Sequence, residues 1–376
     1  MLIGVDASRA LRARRTGTER YSLELIRHLL ALDKRHHWRL YSQSPPAPGL
    51  FAVHERVSWR VIRLPRLWTH VGLSWEMLRC PPDVLFVPAH VLPLWRPRRT
   101  VVTVHDLGYH HYPEAHPWRQ RTYLEWSTWW NAHVADVVLA DSQATCEDLI
   151  AAYRVDPERV VVVYPGRDES LRRVEDPQAL EVVRTRYGLS QHYILYVGTL
   201  QPRKNLVRLI RAFARLVGGA EGFPSDLELV LAGRPGWLSD SILAEPRRLG
   251  IEGRVRFPGY VADEDLAALI SGAQIFAYPS LYEGFGFPVL EAQACGVPVL
   301  TSRASSLPEV AGDAAWLVDP EDEEAITDGL RRLLSDPALR EDLIARGYAN
   351  VRRFSWDRTA REVLDILERV GEARGT

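Results

Sequence analysis

Two glutamates, Glu283 and Glu291, are separated by seven residues in a stretch that predicts a glycine-rich loop followed by a short helix. Pro288 suits the first helical position, and Gly296 suits the position just past the helix end. Free N–H groups at such a helix start attract phosphate, whereas the neighbouring carboxylates repel it and accept hydrogen bonds from hydroxyls. A ligand with both phosphates and many hydroxyls is a nucleotide sugar, so the stretch predicts a site for one.

A basic pair, Arg203 and Lys204, follows Gly198 and Thr199 at the start of another predicted helix. Cations at a helix N-terminus oppose the helix dipole unless an anion lies between them. A fork-shaped guanidinium beside a compact ammonium suits a diphosphate, whose charge must be neutralised as it leaves. The simpler alternative is that both are ordinary surface residues, but their position after the predicted strand Ile194–Val197 favours a role in ligand binding.

Two features of the N-terminal half have both a chemical and a structural explanation. His105 follows the predicted strand Val101–Val104, where an imidazole either hydrogen-bonds a hydroxyl near neutral pH or is satisfied by nearby backbone. Gly17 lets a phosphate or sugar approach the backbone before a predicted helix. Thr16 and Glu19 have capping-box spacing, so the start of that helix is also explained without a ligand.

Other polar groups are better explained as helix caps than as metal sites. Asp263 is predicted to be an N-cap, with further acids in the first turn of its helix. Asp141 and Ser142 are predicted to cap the helix that follows them. Three histidines lack Cys or Glu partners at a zinc-ligand spacing: His110, His111 and His116.

The candidate binding and catalytic residues follow short runs that are apolar on both faces. Such runs are typical of parallel strands buried between helices. The predicted strands are Leu2–Val5, Val101–Val104, Val137–Ala140, Val160–Tyr164, Ile194–Val197, Leu227–Leu231, Ile275–Tyr278 and Val297–Leu300. In open parallel sheets, ligands bind beyond the carboxyl ends of the strands. So many strands require two sheets, and the charged stretch Arg167–Ser190 is the predicted boundary between them.

Composition limits the class of protein. The 376 residues, 46% hydrophobic and 25% charged, predict a globular protein of two domains. A net charge of −1 excludes a global nucleic-acid-binding field. Three dispersed cysteines and the lack of a signal-like or membrane-spanning apolar run predict a cytoplasmic protein.

Together, these segments resemble the family-4 retaining glycosyltransferases of the GT-B fold (glycosyl transferases group 1). The segments that carry the resemblance are Gly17-Thr18, His105-Asp-Leu107, Ala140-Asp-Ser142, Val163-Tyr-Pro-Gly166, Gly198-Thr-Leu-Gln-Pro-Arg-Lys-Asn205, Phe257-Pro-Gly-Tyr260 and the two glutamates. They span nearly the whole chain in the family's order. Arg167 departs from the pattern, since an apolar residue commonly follows Tyr-Pro-Gly at this hinge.

The resemblance implies an α/β protein with two Rossmann-like domains whose parallel sheets face each other across a cleft. Residues 1–180 would form the acceptor-side domain, together with a C-terminal helix, 356–376, that crosses back to it. Residues 181–355 would form the nucleotide-sugar-binding domain.

The resemblance also implies residue roles. Arg203 and Lys204 would hold the donor diphosphate, and Glu291 would accept hydrogen bonds from the ribose hydroxyls. Glu283 would bind the donor sugar, with His105 by its outer hydroxyl; these two and the basic pair are the implied catalytic residues. The implied donor-binding residues are Gly17, Thr18, Gly198, Thr199, Tyr260, Gly284, Phe285, Gly286, Phe287, Leu290 and Glu291.

The implied activity is transfer of a hexose, of mannose or glucose type, from a GDP- or UDP-sugar to a glycan or lipid-linked acceptor. Such a reaction would serve cell-surface polysaccharide or glycoconjugate synthesis. It would retain anomeric configuration and need no metal or other cofactor, because Arg203 and Lys204 neutralise the leaving diphosphate. A GT-B phosphorylase or epimerase and a non-catalytic nucleotide-sugar-binding subunit are the alternatives.

Aromatic residues crowd one predicted helix of the N-terminal half: Trp118, Tyr123, Trp126, Trp129 and Trp130. Arg63, Arg66, Trp68 and the stretch Trp95–Arg99 lie elsewhere in the same half. Tryptophan beside arginine suits a membrane interface, which predicts a peripheral contact at the inner face of the membrane. Packing of these rings in the core is the alternative.

Overall fold

The computed structural model describes residues 1–12, 17–51, 55–89, 91–219 and 222–372. Contacts divide the chain into two compact units. The first unit comprises Met1–His110, Trp118–Gly166 and Phe354–Thr376, and the second comprises His111–Pro117 and Arg167–Arg353. The segment His111–Pro117 belongs to the second unit although the residues on either side of it belong to the first.

Seven parallel strands form the sheet of the first unit in its described residues. They are β1 (Leu2–Asp6), β2 (His37–Ser42), β3 (Val57–Val61), β4 (Val84–Val87), β5 (Thr100–Val104), β6 (Val137–Ala140) and β7 (Val160–Val162). Their order is β3-β2-β1-β4-β5-β6-β7. The central strands β4 and β5 are buried along their whole length, which explains why they are apolar on both faces.

Six parallel strands form the sheet of the second unit in its described residues. They are β8 (Tyr193–Val197), β9 (Glu228–Ala232), β10 (Val255–Gly259), β11 (Ile275–Tyr278), β12 (Val299–Ser302) and β13 (Trp316–Val318). Their order is β10-β9-β8-β11-β12-β13, so β8 lies between β9 and β11. The loops after these three strands therefore lie side by side at the carboxyl edge of the sheet.

Helices connect the strands of both sheets. Numbered along the chain, they are α1 (Gly17–Leu32), α2 (Ser74–Arg79), α3 (Gly108–His111), α4 (Trp118–Val134), α5 (Gln143–Tyr153), α6 (Pro177–Tyr187), α7 (Leu206–Gly219), α8 (Asp240–Arg248), α9 (Asp263–Ser271), α10 (Phe287–Ala294), α11 (Leu307–Ala311), α12 (Glu323–Ser335), α13 (Pro337–Asn350) and α14 (Trp356–Glu372). Alternating strands and helices around two parallel sheets confirm the predicted α/β class.

The last helix, α14, belongs to the first unit by its contacts and packs against α1, as predicted for the C-terminal helix. Its first residue, Trp356, touches the backbone at Gly166, where a Cβ would come within 2.2 Å of the Trp356 nitrogen. The Thr359 hydroxyl donates to the Tyr164 carbonyl at 2.7 Å. The Tyr-Pro-Gly turn after β7 is therefore shaped to receive the start of α14.

The predicted strands are all present, with shifts of one or two residues at their ends. The largest shift is at Val297–Leu300, because the helix-ending Gly296 (φ 66°) and Pro298 delay the start of β12 to Val299. Four further strands lie at or near sheet edges and were not predicted. Polar residues or proline interrupt the apolar run in β2, β3 and β10, and β13 has only three residues. The strand β4 also went unpredicted, although its sequence is wholly apolar.

Candidate functional site

The loop after β8 carries the predicted basic pair. Its helical turn Pro202–Lys204 ends at Asn205, whose left-handed backbone (φ 61°) leads the chain into α7. The Asn205 side-chain amide donates to the Pro279 carbonyl at 3.0 Å and to the Pro320 carbonyl at 2.6 Å. These bonds anchor the turn to the loops after β11 and β13, which fixes where the two basic side chains point.

The basic pair meets Glu283 in a buried cluster. The Lys204 ammonium donates to Glu283 Oε1 at 2.5 Å and to the Tyr278 hydroxyl at 2.9 Å. The Arg203 guanidinium donates to the Tyr282 carbonyl at 2.8 Å and lies 3.7 Å from Glu283 Oε2. Lys204 and Glu283 are only 8% and 7% exposed, so water screens this cluster weakly. The structure thus brings the adjacent Arg203 and Lys204 together with Glu283, which lies 79 residues after Lys204 in the sequence.

The cluster holds two positive charges and one negative charge. Burial raises the pKa of Glu283, but the charges of Lys204 and Arg203 outweigh it, so the pKa lies below its ordinary value. Burial and the nearby Glu283 charge raise the pKa of Tyr278 well above its ordinary value, so this phenol stays neutral. The excess of positive charge in a buried setting favours an anionic ligand or a developing negative charge.

Hydroxyl groups after β12 hold the loop that carries Glu283. The Glu283 backbone N–H donates to the Ser305 hydroxyl at 2.8 Å. The Ser306 hydroxyl lies 2.9 Å from the Glu283 carbonyl and 2.6 Å from the Phe285 carbonyl, as a donor to both. Neither serine was predicted as a site residue. The sequence feature that could have identified them is a run of small polar residues directly after a buried strand, at the same sheet edge.

The glycine stretch after Glu283 leads into α10. Gly286 has φ 117°, and a Cβ there would lie 2.8 Å from the Leu307 side chain, so only glycine fits. The helix begins at Phe287, which puts Pro288 at the second helical position and not, as predicted, the first. Glu291 lies in the following turn and is buried. Gly286 has no side chain to cap α10, so the first N–H groups of the helix are suited to a ligand.

The loops after β8 and β9 touch through their backbones. Gly233 has φ 144°, and a Cβ there would lie 1.8 Å from the Gly198 carbonyl. The Leu200 N–H donates to the Arg234 carbonyl at 2.9 Å, and the exposed Thr199 lies beside it in the same loop. The two loops are therefore joined through their backbones at two glycines, where a ligand can approach the main chain closely.

Tyr260, which follows β10, lies at the same edge of the sheet. Its ring is 56% exposed, and the Arg234 guanidinium lies 4.9 Å from the ring centroid. Its hydroxyl donates to Asp263 at 3.1 Å. The prediction that Asp263 caps α9 is wrong, because Ala262 is the N-cap and Asp263 is the first helical residue. Its carboxylate is still at the favourable end of the helix dipole.

His105 lies in the first unit and is half-buried. Its Nδ1 is 2.6 Å from Asp141 Oδ2, and its Nε2 is 3.0 Å from the Pro88 carbonyl. Burial lowers the pKa of His105, but the Asp141 charge outweighs it and the pKa lies above its ordinary value. Ser142 caps α5 by accepting from the Thr145 N–H at 3.1 Å, whereas Asp141, also predicted as a cap, pairs with the imidazole instead.

Gly17 and Thr18 also belong to the first unit, at the start of α1. Thr16, half of the predicted capping box, lies outside the described residues. Glu19, the other half, pairs with the Arg9 guanidinium at 3.1 Å. Tyr21 of α1 places its ring edge-on to His105, 4.8 Å between centroids, so α1 is packed against the histidine.

Most of the aromatic residues of α4 are exposed in the structure. Trp118 is 68% exposed, Trp129 48% and Trp126 39%, and Trp130 is half-buried. The core-packing alternative therefore holds for Trp130, which packs against the core, and for Trp68, which is buried, but not for the exposed rings of α4. Arginine guanidinium groups lie over three rings of the first unit: Arg119 over Trp118, Arg96 over Trp130 and Arg79 over Trp75.

Neither a metal cluster nor a membrane span is found in the part of the chain that the structure describes. No group of three or more His, Cys, Asp or Glu side chains there is arranged to hold a metal ion. No helix there is long and apolar enough to cross a membrane.

Sequence comparison matches both halves of the chain. The family described as "Glycosyltransferase Family 4" matches residues 15–171, and the family described as "Glycosyl transferases group 1" matches residues 184–350. The chain is also similar to the O-antigen chain mannosyltransferase B of Escherichia coli. The two are 32% identical over 371 residues, which cover 94% of this chain and 96% of that relative.

Structural comparison finds the same fold in solved structures. The sucrose-phosphate synthase from Thermosynechococcus elongatus superposes with a TM-score of 0.77 at 20% identity, over 99% of this chain and 100% of that one. The Anabaena protein HepE, in complex with UDP and glucose, superposes with a TM-score of 0.74 at 18% identity, over 98% and 99% of the two chains. These likenesses confirm the predicted GT-B fold.

Proposed function

Because the chain belongs to the family-4 glycosyltransferases of the GT-B fold, we propose that it moves a hexose from a GDP- or UDP-sugar to a glycan or lipid-linked acceptor. The reaction retains anomeric configuration and uses no metal ion or other cofactor. The E. coli relative is a mannosyltransferase of O-antigen chains, which supports mannose as the hexose and cell-surface polysaccharide synthesis as the setting.

The observation that carries this proposal is the buried cluster of Arg203, Lys204 and Glu283. The bond from the anomeric carbon to the diphosphate oxygen breaks as the acceptor hydroxyl bonds to the same face. A phosphate oxygen takes the hydroxyl proton, and the nucleoside diphosphate leaves. The two cations stabilise the charge that grows on the diphosphate, which is the task a metal ion performs elsewhere.

The remaining predicted residues take supporting roles in this proposal. Glu283 accepts hydrogen bonds from the donor sugar, and Glu291 from the ribose. The start of α10 faces a phosphate, in the manner of other helix N-termini. The exposed Tyr260 ring offers a stacking surface for the base. For Gly17, Thr18 and His105, which belong to the first unit, the proposed contacts are with the phosphates and with the outer sugar hydroxyl.

A donor screen tests the proposal. We expect product from GDP-mannose, or from another GDP- or UDP-hexose, at the same rate with and without EDTA, because Lys204 and Arg203 replace a metal. The anomeric configuration of the product, read by NMR, should match that of the donor. Binding of sugar nucleotides without turnover of any of them would favour the alternative, a nucleotide-sugar-binding subunit. Loss of activity in EDTA would contradict metal independence.

We also propose that the first unit contacts an anionic membrane through its exposed tryptophans. The segments that carry these tryptophans contact one another and form one surface. The His70 ring lies 5.4 Å from the Trp126 ring, and the Trp95 backbone N–H donates to the Ser74 hydroxyl at 3.3 Å. Trp75 and Trp95 are 59% and 56% exposed on this surface. Tryptophan is enriched at the level of the lipid headgroups, and arginine is attracted to anionic lipids, so this surface has the composition of an interfacial contact.

Vesicle sedimentation tests the membrane contact. Wild-type protein should sediment with vesicles containing phosphatidylglycerol at low salt and be released as salt is raised. The double variant Trp75→Ala, Trp118→Ala should bind about 30-fold more weakly, since each of the two rings contributes on the order of 1 kcal/mol. Val182→Ala, which removes an exposed apolar side chain of the second unit, is the matched control. No sedimentation of the wild type at low salt would end this proposal.

A further inference from the structure

The segment His111–Pro117 packs against the loop that precedes Glu283. The His111 ring stacks on the buried Tyr282 ring, with centroids 4.9 Å apart and planes 24° from parallel. The Tyr112 hydroxyl lies 3.4 Å from the Leu281 carbonyl, as a donor. All of these residues belong to the second unit. One end of the segment is therefore attached to the loop after β11.

The other end of the segment is attached to the loop after β9. The Trp237 indole N–H donates to the Ala115 carbonyl, and the Trp237 and His116 rings lie 5.5 Å apart. Because β8 lies between β9 and β11, the segment contacts the loops on both sides of the one that carries Arg203 and Lys204.

The residues that the segment touches are the ones that hold Arg203. The Leu281 N–H donates to the Arg203 carbonyl at 2.9 Å, and the Arg203 guanidinium donates to the Tyr282 carbonyl at 2.8 Å. Tyr282 is also the residue before Glu283. A shift of the Tyr282 ring would therefore move both the guanidinium and the carboxylate of the cluster.

We infer that His111–Pro117 is a strap that holds the donor-binding loops in place, and that His111 is a positioning residue acting through Tyr282. This inference rests on the proposed function only for its kinetic consequence. An aromatic pair of this kind contributes about 0.5–1.5 kcal/mol beyond its buried area, which corresponds to an effect of about 2- to 10-fold. His111 is exposed, so its replacement leaves the core of the second unit intact.

Hydrogen exchange of the unliganded protein tests the strap itself. In His111→Ala, the amides of Leu281 and Glu283 should exchange about 2- to 10-fold faster, because their hydrogen bonds open more often. His111→Phe keeps a stacking ring and should restore the wild-type rate. His110→Ala removes the neighbouring histidine, which pairs with Glu125 in the first unit, and should leave these amides unchanged. Unchanged exchange in His111→Ala would overturn the inference.

Kinetics test the consequence for the donor. The value of kcat/KM for the donor should fall about 2- to 10-fold in His111→Ala, recover in His111→Phe and stay at wild type in His110→Ala. A lower Tm with unchanged kcat/KM at 25 °C would show a merely structural role and overturn the assignment of His111. If the wild type turns over no donor, the proposed function fails while the exchange experiment still decides the strap.

Discussion

Replacement of Lys204 by alanine should lower kcat about 30- to 1,000-fold, which is about 2–4 kcal/mol in barrier. The ammonium is 8% exposed and bonded to Glu283 and Tyr278, so its charge acts at short range with little screening. Its stabilisation is greatest when the diphosphate carries its leaving charge. The loss should therefore fall on kcat, with the KM for the donor nearly unchanged. Steady-state kinetics with the best donor of the screen provide the measurement.

The chain offers a matched control for this experiment. It has only two lysines, and the other, Lys34, is exposed in the first unit. Lys34→Ala should leave kcat, KM and Tm at wild-type values. Lys204→Met keeps the length of the side chain without its charge and should lose as much kcat as Lys204→Ala. Wild-type kcat in a folded Lys204→Ala protein would remove Lys204 from the proposed mechanism.

The strands that could be predicted are those buried on both faces, because burial requires mostly apolar residues. Strands such as β5 and β11 are buried along their whole length, so most of their residues are apolar and their runs stand out. Edge strands such as β3 alternate in burial and carry polar residues, so the same criterion misses them. The strand β4 also meets this criterion, since Val84–Val87 is wholly apolar and buried, although it is absent from the predicted strands.

The candidate site was predictable only as far as strand order determines it. Residues after parallel strands meet at one sheet edge, which is why Arg203, Lys204 and Glu283 were expected together. Tyr278 ends a buried strand and reads as a core residue, so nothing in its local sequence marks its bond to the lysine. The strap could not be predicted, because His111 contacts Tyr282 across a long stretch of sequence and no local sequence pattern marks such a contact.

Replacement of Glu283 by alanine should destabilise the protein by about 3–5 kcal/mol, because it leaves the ammonium of Lys204 and the guanidinium of Arg203 buried without their carboxylate. Chemical denaturation at pH 7 measures this as a lower free energy of unfolding. Glu181→Ala, which breaks the exposed pair with Arg184, should leave the denaturation midpoint unchanged. Equal midpoints for Glu283→Ala and wild type would show that the buried pairing contributes nothing to stability.

The pH dependence of this effect has a definite sign. The pKa of Glu283 in the folded protein lies below its ordinary value of 4.5, since the two cations outweigh the effect of burial. The folded state therefore binds the proton less readily than the unfolded state, and the carboxylate stabilises the fold fully above pH 4.5. That contribution is lost as pH falls through the lower, folded pKa. The difference in unfolding free energy between wild type and Glu283→Gln should accordingly be constant from pH 8 to about pH 5 and shrink below that. A difference that instead grows towards acid pH would mean that Glu283 is protonated in the folded protein, and so unable to hold Lys204 as an ion pair.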